Sequence, residues 1–418
     1  MDIDVVTDRF GLDVTVGTPD SVAEWDLATR EAQDFRGEPG DRLTAVTEAD
    51  GAFAMGLVVI LTDAVLGGDD PTADPVRDGM AALVERSAAV TQRERDHAAA
   101  VTALVAGEYT EAAECWEEIG ARHPHDMVAT GSAHDVYLHV GDDARRLRSS
   151  EATLARRVPG DPGYGVAAGQ HAFALEEVGR FAEAECHART ALDVDPVDVW
   201  ALHALAHVYE TQGRTTESID FLRGTRPDWI ERDHLALHLE WHLALRLLAD
   251  GAFDECLSLV DERLPTTDRA FGLTDLTSLL WRLELAGCDV GARWPALAAR
   301  WRDHDQLHTT GFLDLHAAMA FSACPDDPGA ARFWDGLEAC HPDGDSQNAR
   351  TFDEVVRPLA AAVRDHRTGR HEQAAVAIAS LASDTHRVGG SHAQRDLFAR
   401  TGAASRRLVD PPNTGSHA

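Results

Sequence analysis

The sequence predicts an all-α protein, a single continuous solenoid of helix–turn–helix pairs. Three observations predict it. Glycines recur at 107, 141, 179, 213, 251 and 287, with spacings of 34, 38, 34, 38 and 36 residues. Five positions after most of them stands a small residue: Ala112, Ala184, Ser218, Cys256 and Ala292, with Arg146 as the misfit. Between the glycines the chain has helical periodicity, broken by stretches such as VPGDPGYG (158–165) and CPDDPGA (324–330).

The elements follow in order. Residues 1–90 read as irregular helices that cap the stack. Within them LDVTVGT (12–18) alternates like a strand but leads to no further strand. AFAMGLVVIL (52–61) is too short to cross a bilayer and reads as a buried helix. Residues 91–408 carry the repeats as one domain. AGEYTEAAECWEEIGARHPHD (106–126) and VGRFAEAECHARTALDVDPVD (178–198) both run 17 residues from glycine to proline. DGAFDECLSLVDERLP (250–265) and TGRHEQAAVAIASL (368–381) repeat the opening. The glycine opens the turn, the small residue lets two helices approach, and the proline follows a helix it cannot continue. DPPNTGSHA (410–418) reads as disordered, giving a tail over 409–418. This period resembles the tetratricopeptide repeat, at about 34 residues per helical pair. The resemblance implies a right-handed superhelix whose first helices line the concave side.

Composition narrows the partners. The 418 residues include 71 acidic and 38 basic side chains, for a net charge of −33, and every basic residue is arginine. Such a surface repels nucleic acid and anionic membranes, so neither is expected as a partner. It suits a high-salt cytoplasm, but a GC-rich genome would also replace lysine by arginine. Six cysteines lie scattered without a C-x-x-C pair, which points to a reducing compartment and away from a structural zinc site. MDIDVVTDRF lacks a signal-peptide pattern, and a cytoplasmic location is expected. No nucleotide-binding loop, G-x-S-x-G elbow or EF-hand pattern occurs.

The histidines carry the functional question. WALHALAHVYE (200–210) places His203, His207 and Glu210 ten, six and three residues before Gly213. At about 100° per residue they share one stripe. DHLALHLEWH (233–242) contributes His234, His238, Trp241 and His242, with His238 and Trp241 thirteen and ten residues before Gly251. Glu176 and Glu284, each three before a repeat glycine, are in register with Glu210. If the repeats stack in phase, these residues gather on one inner wall. Three readings stand side by side: a polar wall that merely solvates itself or bonds between helices; a divalent-metal site using His203, His207 and His238; and a metal-free acid/base site.

Several stretches resemble the tetratricopeptide repeat protein 38 family: TQRERDHAAAVTALVAGEYTEAAECWE (91–117), HPHDMVA (123–129), AHDVYLHVG (133–141), DPVDVWALHALAHVYE (195–210), LALHLEWHLALRLLADGAFDECL (235–257), HTTGFLDLHAAMA (308–320) and VGGSHAQRDLF (388–398). The last is the most diagnostic. The resemblance implies polar motif positions at Arg93, Glu94, Arg95, His134, Asp135, Trp200, His203, His207, Glu210, His238, Trp241 and His242. Further on it implies His308, Asp314, His316, Ser391, Gln394, Arg395 and Asp396. Leu57 departs from it, standing where a histidine would be expected.

The expected function is recognition of a small polar molecule in a His/Glu/Trp-lined concave pocket, with hydrolase- or lyase-type chemistry by acid/base or metal-assisted means. His203, His207, Glu210, His238 and His242 would be catalytic. Trp241, His134, Asp135, His316, Asp314, Gln394, Arg395 and Asp396 would bind substrate, with Arg395 gripping an anionic group. Ser391 would cap the helix that carries Arg395, and an interhelical salt bridge is the competing role for the pair Arg395–Asp396. The alternative is a non-enzymatic scaffold holding a peptide or protein partner in an open groove.

Overall fold

The computed structural model describes residues 3–410 apart from 268, 305–306 and 341–343, with backbone alone at 233–234. His234 and most of the predicted tail therefore lie outside the described residues; Val409 ends the last helix.

The chain opens with an antiparallel hairpin, β1 (Asp4–Thr7) and β2 (Asp13–Val16), in which Val6 lies opposite Val14. LDVTVGT is thus a strand after all. Its partner lies upstream, so a search for a following strand misses it. The Asp8 carboxylate closes the turn by accepting the Phe10 and Leu12 amides, both at 2.9 Å. Four helices follow: α1 (Asp20–Asp34), α2 (Pro39–Ala49), α3 (Ala54–Gly67) and α4 (Asp74–Arg86). As the sequence predicts, α3 is the apolar segment, with Met55, Val58, Leu61 and Val65 buried.

The repeats then come as pairs. They are α5 (Gln92–Val105) with α6 (Tyr109–Arg122), α7 (Met127–Val140) with α8 (Asp143–Leu154), α9 (Tyr164–Glu177) with α10 (Phe181–Val194), and α11 (Val199–Thr211) with α12 (Thr215–Gly224). A short helix α13 (Arg226–Trp229) precedes α14 (Asp233–Ala249) and α15 (Phe253–Arg263). Further on lie α16 (Ala270–Leu285), α17 (Arg293–Asp303), α18 (Gly311–Ala323), α19 (Pro328–Ala339), α20 (Gln347–Thr351), α21 (Arg357–Arg367), α22 (His371–Ser380) and α23 (His392–Val409). This is the predicted all-α, tetratricopeptide-like helical-repeat fold. No described helix is long and apolar enough to cross a membrane.

The turn glycines explain the period. Gly107, Gly141, Gly179, Gly213, Gly251 and Gly287 all have φ between +66° and +86°, the left-handed region that a side chain disfavours. Five residues on, Ala112, Ala184, Ser218 and Cys256 are fully buried against the partner helix. Ala292 departs from the pattern, being exposed, because the last of these turns is longer.

Two compact units divide the chain. One comprises residues 1–246 with 346–348, the other 247–345 with 349–418. In the first, a core runs from Val14 and Trp25 through Phe53 and Leu104 to Trp116 and Tyr137, and a second cluster from Phe173 to Leu205 and Tyr209. Glu94 ties the hairpin to α5 by accepting the Thr15 amide at 2.9 Å and hydroxyl at 2.6 Å. In the second unit, Trp281 and Trp301 are buried with their indole N–H groups donated to Thr401 and Thr277, both at 2.9 Å.

The backbone argument is testable at Gly179, where a methyl would meet no atom within 4 Å. Gly179→Ala therefore isolates the left-handed conformation and should cost about 1 kcal/mol. Gly107→Ala should cost more, since its methyl would stand 2.7 Å from the Ser346 hydroxyl. Urea midpoints of the two variants check the order.

Candidate functional site

The site is built on the first helices of consecutive repeats in the first unit. Asp198 caps α11 by accepting the Ala201 amide at 3.0 Å, and Asp126 caps α7 by accepting that of Ala129 at 3.0 Å. These caps start each helix at a defined residue, and the turn glycine ends it. The phase of the inward face is thereby set.

Four imidazoles meet there. His203 and His207, one turn apart on α11, have their Nε2 atoms 3.1 Å apart. From α14, His242 stands 4.4 Å from His207 and 5.3 Å from His203 between ring centroids; His238 stands 5.0 Å from His203 and 4.8 Å from His242. One ligand nitrogen from each of the four lies within 4.8 Å of the others. Trp241 stacks on His238 at 5.2 Å and 14°. Phe173 on α9 packs on His207 at 4.8 Å and His203 at 5.3 Å. His203, His207 and His242 are buried and His238 is half-buried.

Carboxylates stand behind the rings. Glu210 accepts from His242 Nδ1 at 2.8 Å while its other oxygen pairs with Arg246 at 2.9 Å. On α9, Glu176 Oε2 lies 3.7 Å and Glu177 Oε1 4.0 Å from His207 Nδ1. Thr211 donates to Glu176 at 2.6 Å. Burial, then the charge of the neighbouring Glu177, pushes the Glu176 carboxyl well above its usual range.

Burial, then the neighbouring rings, holds His203, His207 and His242 well below the usual imidazole range, so all three are neutral. Yet His203 Nδ1, His207 Nδ1 and His242 Nε2 are buried with no hydrogen-bond partner among the described residues. Each such atom costs about 1–3 kcal/mol. His97 shows what a purely structural histidine looks like in the same fold. It is fully buried, but Nε2 meets Asp126 at 3.0 Å and Nδ1 accepts the Trp116 indole at 3.2 Å. Arg93 joins that network through Asp126 at 2.7 Å, with only its Nε lacking a partner among the described residues.

Among the other predicted residues of this unit, His134 is buried, edge-on to Trp200 at 6.1 Å and 6.1 Å from Phe173. Both its nitrogens lack hydrogen bonds among the described residues. Asp135 faces Asp63 of α3; burial first, then that carboxylate, raises it to about 7.

His316, Asp314, Gln394, Arg395 and Asp396 belong to the second unit, where each has local partners. Asp314 accepts the His308 amide at 2.9 Å and the His308 ring at 2.6 Å, bracing the turn before α18. His316 Nδ1 meets the Phe312 carbonyl at 2.8 Å. Ser391 and Gln394 form a reciprocal cap on α23, as the sequence suggests for Ser391. Arg395 donates to the Gly390 carbonyl, and Asp396 pairs with Arg282 and Arg400. A cavity of about 380 Å³ in this unit is lined by Trp281, Glu284, Gly287, Cys288, His366 and Arg367, and so does not touch the histidine cluster.

Four residues of the cluster's surroundings were given no site role by the sequence reading. Arg146, the misfit at a small-residue position, is fully buried over the Phe173 ring at 4.5 Å. Its guanidinium lies 2.9 Å from Asp143 and 3.8 Å from Glu177. The breach of the repeat pattern was its signal. Glu176 was noted only for its register and Glu177 not at all; two adjacent carboxylates just before a turn glycine were the available clue. Phe173 carried no signal beyond apolarity.

No protein-family model matches the chain. Among solved structures it is similar to a Rap protein complexed with competence and sporulation factor, at 12% identity and a TM-score of 0.46 over 78% of this chain and 98% of that one. Nothing about activity or partners follows from that likeness. What fold and site together define is a helical-repeat protein with a buried four-histidine cluster.

Acid should expose the burial of neutral histidines. His316 is held at about 4 by burial, against 6.5 when exposed. Below pH 6.5 the unfolded chain binds a proton here that the native state refuses, so this contribution to stability is lost as pH falls toward 4. The loss amounts to about 3 kcal/mol at pH 4. His316→Gln should flatten the fall in melting temperature between pH 7 and 4.5 relative to the unsubstituted protein.

Proposed function

We propose that the first unit holds a divalent transition metal at His203, His207, His238 and His242, and that this centre acts on a small polar molecule by metal-assisted chemistry of the hydrolase type. The observation that carries the reading is the convergence of four imidazole nitrogens within 4.8 Å, three of the rings buried and each carrying a nitrogen without a partner among the described residues. A bound cation would take one nitrogen from each ring, Nε2 in the case of His207. Imidazole donors suit zinc, with copper and nickel as competitors. With bonds of about 2.0–2.1 Å in a tetrahedral site the ligand atoms would stand about 3.3 Å apart, so the His203–His207 pair at 3.1 Å would open slightly and wider pairs would close, changes that ring rotations supply.

Glu210 supports the same reading, since a carboxylate on the far nitrogen of a metal-bound imidazole fixes its tautomer and raises its basicity. Three buried histidines with the half-buried His238 as the fourth leave one coordination position that a water or substrate could contest. A metal held there would lower the pKa of a bound water and so could supply a nucleophile near neutral pH. His134 and the free edge of Arg146 would then face the polar substrate. Membership of the tetratricopeptide repeat protein 38 family is part of this proposal, because its motif positions include all four histidines.

The protein purified without chelator should contain about one equivalent of zinc per chain by mass spectrometry of the metal. His207→Ala and His242→Ala should lose it. Glu210→Gln should weaken binding by about 10–100-fold while leaving helicity unchanged. Metal-free protein that binds none of zinc, copper or nickel would sink the proposal and leave the peptide-binding scaffold as the reading to pursue.

A further inference from the structure

Deepening that reading, and resting on it, we propose that the centre is binuclear: a second divalent cation sits between His207 Nδ1 and the carboxylates of Glu176 and Glu177, with the His207 ring bridging the two ions. The geometry points to a second site because His207 belongs to two ligand groups at once. Its Nε2 faces His203 at 3.1 Å, inside the histidine cluster. Its Nδ1 faces the opposite way, toward Glu176 Oε2 at 3.7 Å and Glu177 Oε1 at 4.0 Å. One oxygen from each glutamate and a ring nitrogen of His207 lie within 4.8 Å of one another.

Acidic neighbours alone would prove little. Here the decisive atoms are buried and bare. His207 is 1% exposed and Glu176 2%, and neither His207 Nδ1 nor Glu176 Oε2 has a hydrogen-bond partner among the described residues. The other Glu176 oxygen is already oriented by Thr211 at 2.6 Å, which turns Oε2 toward His207. A nearby cation, Arg146, stays 3.8 Å from Glu177, too far for a hydrogen bond. One nitrogen and two carboxylate oxygens are a ligand set for zinc, manganese or copper that leaves a position open.

Atoms balance as follows. In the metal-free state the His207 ring carries one N–H. When both ions are bound, each ring nitrogen would donate its lone pair to a metal, and that proton leaves to solvent. The ring becomes an imidazolate, whose negative charge together with two carboxylates offsets the charge of the added cation.

The test uses the full chain, stripped of metal and titrated with Cu²⁺. Two equivalents should bind, and the electron paramagnetic resonance signal seen at one equivalent should diminish at two as the bridged spins couple. Glu176→Gln keeps the side chain's shape and its bond to Thr211. It should bind one equivalent, with an uncoupled signal that persists. One equivalent in the unsubstituted protein, or a second that survives in Glu176→Gln, overturns the second site and leaves the four-histidine site standing. No binding at all overturns both. Glu177→Gln, scored by the same signal, covers the case in which Glu176→Gln does not fold.

Discussion

The first unit depends on one constraint, the phase between a turn glycine and the face of the helix before it. The left-handed region is disfavoured for a residue with a side chain, so the glycine pins where each first helix ends. Counting back at about 100° per residue then decides which positions look inward. His203, His207 and Glu210 on α11, and His238 and His242 on α14, share a wall because Gly213 and Gly251 end their helices in equivalent places.

Packing polar groups onto such a wall is costly, and the protein handles the cost in two ways. Around Asp126 the network of Arg93, His97 and Trp116 is nearly closed: both His97 nitrogens and one oxygen of the carboxylate have partners at 2.7–3.2 Å, and only Arg93 Nε lacks one among the described residues. Around His207 it is open. Among the described residues, neutral rings face one another, a carboxyl oxygen points at a bare nitrogen, and a buried guanidinium has an unbonded edge. Interiors that exist only for stability rarely tolerate so many bare atoms in one place. That difference separates a candidate site from histidine-rich packing.

Arg146 shows how a broken rule can mark function. At the fifth position after the glycine the repeat asks for a small residue, and Ala112, Ala184, Ser218 and Cys256 comply. Arginine there cannot reach solvent and lies over Phe173 instead, between Asp143 and Glu177. A local conflict of this kind is expected where function rather than folding chose the residue.

The sequence by itself determined the helical-repeat class, the turn positions and the stripe that His203, His207 and Glu210 share, because these follow from short-range rules of backbone freedom and helical rotation. It also placed a buried apolar helix at 52–61, which the structure extends to Ala54–Gly67, and the Ser391 cap. Only the tertiary structure decided what meets what. Pairing of β2 with an upstream strand, the approach of α14 to α11 that brings His242 to His207, and the turning of Glu176 and Glu177 toward the far side of that ring depend on how successive helices pack. So does the placing of His316, Asp314 and the 388–398 motif in a second compact unit with partners of their own. Helical phase says which way a side chain faces; crossing angle and separation between helices say whether anything is there to receive it, and no single helix encodes those.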